Sequence, residues 1–167
     1  MNLIELPDPK TIDLANAVHE TGHVVLREVL GLPYDRVAIE HDGMPLGITW
    51  FPPFVPASPT CETDRARLRR ELLCTLGGLA AERLIATGRS AADVALGASD
   101  DLAYALQLVA LMGETEGALD DYMNEAAHLL NVNHKPVGLI VRALMRHRSL
   151  TPATLRVAIA GYPLRMP

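Results

Sequence analysis

From Ala15 through Val18, Gly22, Val25 and Leu26 to Val29, small and apolar residues recur every three or four positions. That period predicts an amphipathic helix with the stripe turned inward. Its start is expected near Asp8-Pro9 or Thr11, and Gly31 and Pro33 stop it. The segments "DRVAIE" and "PLGITWF" carry β-branched residues on either side of the turn "HDGM" with its Asp-Gly pair, which predicts a hairpin or two neighbouring strands. "PPFVPASP" carries too many prolines for helix or interior strand and is expected to be an extended surface loop.

A long helix is predicted from Thr63 to Ala86, closed by Gly88, with Leu68, Leu72, Leu76, Leu79 and Ala80 on its buried face. Gly77-Gly78 costs this helix about 1 kcal/mol per residue against alanine, so the pair is expected where another backbone comes close. After the linker "RSAADVALGA", Ser99 is expected to cap a third helix that runs to Met112 and is broken by "GETEG". Two more helical stretches lie between Asp120 and His147, bent at Pro136. Thr151-Pro152 opens a short final helix, and Pro163 ends it. The expected fold is mainly α with a small β-sheet inserted early (α+β), as a single domain over 1–167.

Composition narrows the class. Aromatic residues make up only 4% of a chain that is 49% hydrophobic, so the core must be Leu, Val, Ala and Ile. The net charge of -5 and the lack of a basic tract beyond "RARLRR", read as a solvated helix face, argue against nucleic-acid binding. Cys61 and Cys74 form no disulfide framework and no metal spacing, which predicts reduced thiols and a cytoplasmic location. No signal pattern, membrane segment or internal repeat is expected.

The chemistry sits in "AVHETGHVVL". His19 and His23 are four apart, so on a helix they share a face and can hold one metal ion. Glu20 is turned about 100° away and can reach a water on that metal without being a ligand. This is the HExxH arrangement of zinc hydrolases: two neutral imidazoles for Zn²⁺ and a carboxylate as general base. Gly22 leaves room for an element packing close to the metal. A catalytic zinc needs a third protein ligand, and the residues leave three candidates open: Glu82 in "GGLAAERL", and Asp100 or Asp101 in "GASDD". His41, His128, His134 and His147 are expected at surface or cap positions.

Four motifs in order resemble the peptidase domain of FtsH-type zinc proteases. "ANAVHETGHVVL" is similar to that family's metal helix, "PLGITWFPP" to its Leu-Gly strand and proline loop, "LGGLAAERLI" to its Gly-Gly-x-Ala-Ala-Glu helix, and "GASDDL" to its Gly-Ala-Ser-x-Asp-Leu string. "AAHLLNVNHKPVGLIVRALMRHRSL" is similar to its closing helices. The resemblance implies an FtsH-like helical array with Asp101 as the third zinc ligand and Glu82 in a structural or supporting role. The family's phosphate-binding Gly-x-x-x-x-Gly-Lys string does not occur in these 167 residues. The function expected is therefore an ATP-independent zinc metalloendopeptidase. His19, His23 and Asp101 would hold Zn²⁺, and Glu20 would be the base. The substrate would be a peptide or unfolded protein, paired as an added strand with the edge near Gly47 to Phe51. A homo-oligomer or a separate ATPase is the further partner to consider. The rival readings are a zinc-holding protein-interaction module without turnover and a zinc hydrolase for non-peptide amides.

Overall fold

The computed structural model describes residues 12–41, 44–54, 62–85, 87–88, 94 and 97–166. The elements in order are α1 (Ile12–Val29), β1 (Arg36–His41), β2 (Met44–Trp50), α2 (Glu62–Leu84), α3 (Ser99–Leu111), α4 (Ala118–Val132), α5 (His134–His147), β3 (Ser149–Leu150) and α6 (Pro152–Ala158). The architecture is mainly helical with one small antiparallel sheet, as the periodicity predicts. Expectations for the start of α1, the turn at 42–43, the loop at 55–60, Cys61 and most of the linker before α3 lie outside the described residues.

The long second helix is more central than one buried face implies. Every residue from Glu71 to Glu82 is buried, because α1 packs on one side of α2 while α3 and α4 pack on others. The approach of α1 is unusually close. A Cβ built on Gly22 would lie 2.0 Å from the carbonyl oxygen of Gly77, and one built on Gly77 would lie 2.6 Å from that of Gly22. The two backbones are in contact, and only glycine at both positions permits it. Cys74 faces this core, where burial pushes its thiol up to about 12. It is a packing residue.

The sheet order is β2-β1-β3, and among the described residues β2 is an outer strand. Ala38 pairs with Ile48 and Glu40 with Pro45, so Leu46 and Gly47 together oppose Ile39. This bulge bends β2 beside α1. Pro45 fits because an outer strand does not need every N–H for the ladder. β3 was not foreseen: two residues carry no readable period. Arg148 at φ 65° turns the chain out of α5, and Leu150 then pairs with Val37.

Other boundaries differ from expectation. Ser99 is not a cap; Ala98 holds that position with no side-chain capping bond. The chain already turns helically upstream, with Ala98 N–H donating to Val94 O, so Ser99 is the first residue of α3. The break near Pro136 falls at Asn133. Pro136 sits in the first turn of α5, where its missing N–H has no intrahelical partner to lose. Buried Asn133 accepts from Arg165 N–H and donates to the carbonyls of Leu129 and Arg165, tying the C-terminal segment to the break. α6 opens as expected, with a Thr151–Thr154 capping box and Pro152 at its first turn. It ends at Ala158, not at Pro163, because the hydrogen bonding tightens at Ala160 N–H to Val157 O and buried Ile159 turns the chain.

Candidate metal centre

α1 presents His19, His23 and Arg27 along one stripe, at successive steps of four. His19 Nδ1 lies 2.8 Å from Glu82 Oε1, and His23 Nδ1 lies 2.8 Å from the carbonyl oxygen of Cys74. A carbonyl oxygen only accepts, as does an ionised carboxylate, so both Nδ1 atoms carry the proton. In the neutral rings both Nε2 atoms then offer a lone pair.

Those two lone pairs point into one spot. The Nε2 atoms are 3.1 Å apart, and Asp101 Oδ2 lies 2.9 Å from that of His19 and 3.3 Å from that of His23. Three acceptor atoms so close repel unless a cation or shared protons sit among them. With protons alone, burial works to lower His19, but the hydrogen bonds to Asp101 and Glu82 outweigh it and bring its pKa up to about 10. His23 is raised as well: burial opposes the shift, and the Asp101 hydrogen bond and charge overcome it. For Asp101 burial acts upward, while hydrogen bonds to His19 and His23 hold the carboxyl well below the usual range. A divalent cation would displace these protons. The triangle has the right size for one: bonds of about 2.0–2.1 Å in a tetrahedron set ligand–ligand edges of about 3.3 Å. His19, His23 and Asp101 are the group that converges in this way among the described residues.

The other third-ligand candidates stand elsewhere. Glu82 is buried against the far nitrogen of His19, the supporting position. Asp100 is exposed at the mouth of the same cavity and outside the converging group. His128, His134 and His147 are exposed, and His134 Nδ1 lies 3.0 Å from Asn131 O at the α4–α5 break. The side chain of His41 is outside the described residues.

Glu20 is only 5% exposed and faces β2. Its Oε2 accepts from the Thr49 hydroxyl at 2.6 Å. A Cβ on Gly47 would lie 2.7 Å from its other oxygen, so the bulged glycine lets the strand press against the carboxylate. Gly78 does the same for His19, whose ring rests where a Cβ would lie 2.5 Å away. Thus Gly77 of the pair admits the α1 backbone and Gly78 admits the His19 ring. A cavity of about 510 Å³ opens over the site, walled by α1 from Asn16 to Arg27, by Gly47 to Thr49 and Phe51, and by Asp100, Asp101 and Tyr104 of α3. Sequence reasoning missed Thr49, Arg27 and Tyr104. Arg27 was legible in principle, four residues after His23 on the same stripe.

A helix carrying HExxH, a carboxylate brought to both histidines by a second helix, and an outer strand beside the glutamate together define the metallopeptidase class. The chain matches the family model of peptidase family M41 over residues 10–118, more than half its length, and it belongs to that family. The match contains all four ordered motifs that carry the FtsH-type resemblance; the closing helices beyond residue 118 lie outside it. Comparison with curated proteins gives no match. No described helix is long and apolar enough to cross a membrane.

The contact between Glu82 and His19 has a measurable consequence. Glu82→Ala leaves the His19 Nδ1–H without its carboxylate and frees the ring to turn. Metal affinity is expected to fall at least about 10-fold. Competition with a chromogenic chelator at fixed pH measures it, and an unchanged affinity would remove Glu82 from the site.

Proposed function

We propose that the chain is a zinc metalloendopeptidase in which His19, His23 and Asp101 hold the metal and Glu20 is the general base. The single observation that carries this reading is the convergence of His19 Nε2, His23 Nε2 and Asp101 Oδ2, with all three atoms within 3.3 Å of one another. When bound, zinc supplies a water of lowered pKa and an electrophile for the scissile carbonyl. Glu20 takes a proton from the attacking water and delivers it to the leaving amide nitrogen, so that one water is consumed as the C–N bond breaks. Thr49, by donating to Oε2, holds that carboxylate in place. Substrate lies as an added strand along the outer edge of β2 from Gly47 to Trp50 and on past Phe51, beside Glu20. A structural site gains nothing from a buried base beside its ligands, so turnover is preferred to the interaction-module reading.

We further propose that this chain cleaves flexible or already unfolded polypeptides without ATP, in the cytoplasm. A stably folded substrate exposes an extended segment only by opening, so its cleavage rate should fall with its opening free energy. The test measures bound metal, then follows cleavage of one protein and a destabilised mutant of it, with chelator and with ATP. One zinc per chain, loss of activity on chelation, faster cleavage of the mutant and indifference to ATP are expected. Equal cleavage of both forms, or stimulation of the pure chain by ATP, would sink the passive reading. Stimulation only in the presence of a cell extract would reveal a separate ATPase.

A further inference from the structure

The cavity does not end at the metal ligands. One turn beyond His23, Arg27 lines it, and this arginine is only 2% exposed. Its Nε donates to the carbonyl of Pro33 at 2.8 Å, and its Nη1 donates to Glu71 at 2.9 Å. Phe51, the residue after β2, lies over the guanidinium at 4.1 Å. The remaining nitrogen, Nη2, is buried and meets no acceptor. Arginine keeps its charge in proteins, and a buried guanidinium ordinarily spends every donor.

The local charge is also unbalanced. Glu71 accepts from Arg27 and, at 2.9 Å, from Arg67, so one carboxylate faces two guanidinium groups. Behind the wall that Arg27 forms, two guanidinium groups therefore meet one carboxylate, a local positive excess in a chain whose net charge is -5. Tyr104, one turn after Asp101 on α3, lines the same cavity and feels the charges of Glu71 and Arg27. A purely structural arginine would explain Nε, Nη1 and the ring contact. It would not explain why a residue that lines the cavity keeps a buried donor unspent.

We infer that Arg27, with Phe51 and Tyr104, forms a subsite for a substrate carboxylate next to the scissile bond. The inference rests on the peptidase reading, which supplies the peptide lying in the cavity. One helical turn advances about 5.4 Å, and an extended peptide advances about 3.4 Å per residue. The carboxylate accordingly belongs one or two residues from the bond that is cut. The fork of a guanidinium suits a carboxylate better than any neutral group. Phe51 is 40% exposed and covers the guanidinium from the strand along which the peptide would lie, so it swings aside without opening the core. The carboxylate has two sources: an acidic side chain, or the free C-terminus of a peptide.

The experiment measures binding, so that it does not depend on turnover. Zinc-loaded Glu20→Gln protein is titrated with fluorescent peptides that carry Glu or Gln at each of the positions around the cleaved bond. A second pair ends in a free carboxylate or an amide. A preference of at least about 10-fold for one member of a Glu/Gln pair, or for the free acid over the amide, is expected from a hydrogen bond to a charged group. The first result assigns the side chain as the source, and the second assigns the C-terminus. Adding Arg27→Gln should reduce that ratio below about 2, and Arg27→Lys should restore part of it. Absence of any preference in the Glu20→Gln protein overturns the inference whatever the arginine variants do, including a failure to fold. A uniform loss of affinity that leaves the ratio near 10 overturns it too, since that is what a structural clamp would give. A carboxylate preference that depends on Arg27 in a chain whose wild type cleaves nothing would overturn the peptidase reading and leave the subsite standing.

Discussion

Glu20→Gln is expected to lower turnover at least about 100-fold while leaving metal content and fold intact. The size follows from the loss of general acid–base help alone, whose usual contribution is about 10²–10⁴. The structure makes the substitution unusually clean. Glutamine has the same shape, so it fits between α1 and the bulge at Gly47. Its amide oxygen still accepts the Thr49 hydroxyl that now reaches Oε2. Glu20 is not among the three converging atoms, so zinc should be retained. The measurement pairs kcat on an unfolded substrate with metal analysis and a thermal melt of the same sample. Loss of zinc would make Glu20 a ligand, and undiminished kcat would make it a bystander.

Among the described glycines whose surroundings are known, Gly22→Ala should be the most damaging added methyl group. In an open helix the exchange would gain about 1 kcal/mol of helix propensity. Here the new Cβ falls 2.0 Å from a backbone oxygen of α2 and 2.9 Å from the Ala81 side chain. Backbone cannot rotate away, so α1 and α2 must separate. Overpacking of this kind costs about 3 kcal/mol or more, leaving a net loss of at least about 2 kcal/mol. For a domain of this size that lowers Tm by roughly 4–8 °C. The damage should also reach the site below the melting temperature. His23 is fixed by the Cys74 carbonyl and His19 by Glu82, both on α2, so a wider gap loosens both rings. Reduced zinc affinity in the still-folded variant, measured by chelator competition, is the second expected readout. A variant with wild-type Tm and metal affinity would show that the helices do not meet as described.

Gly22 shows how far the amino-acid sequence alone reaches. The HExxH string, the helix that carries it and the glycine that admits a neighbour are local or periodic features, and all were legible. So was the hairpin of β1 and β2, and so were the four ordered motifs that point to the family. Their information lies in spacing along the chain, where a period of 3.6 or 2 decides which side chains share a face. The third partner of the histidines was a different matter. Glu82, Asp100 and Asp101 are all carboxylates at the ends or centres of plausible helices; spacing could not rank them, and only the resemblance to the FtsH-type family pointed to Asp101.

What separates these three is the rotation and crossing of helices that are far apart in sequence. α2 turns Glu82 toward the outer nitrogen of His19, while α3 turns Asp101 inward and Asp100 to the rim. The same crossing buries all of α2 from Glu71 to Glu82, which no single-helix stripe can announce. Arg27 illustrates the limit most sharply. Its place on the histidine stripe is a property of sequence alone. Its burial, its bond to Glu71 and its unspent Nη2 exist only because β2, α2 and the segment after α1 close around it. Covalent order and helical period determine which residues face together; the charge, protonation and hydrogen bonding of those residues depend on desolvation by distant elements, and only the packed structure supplies that.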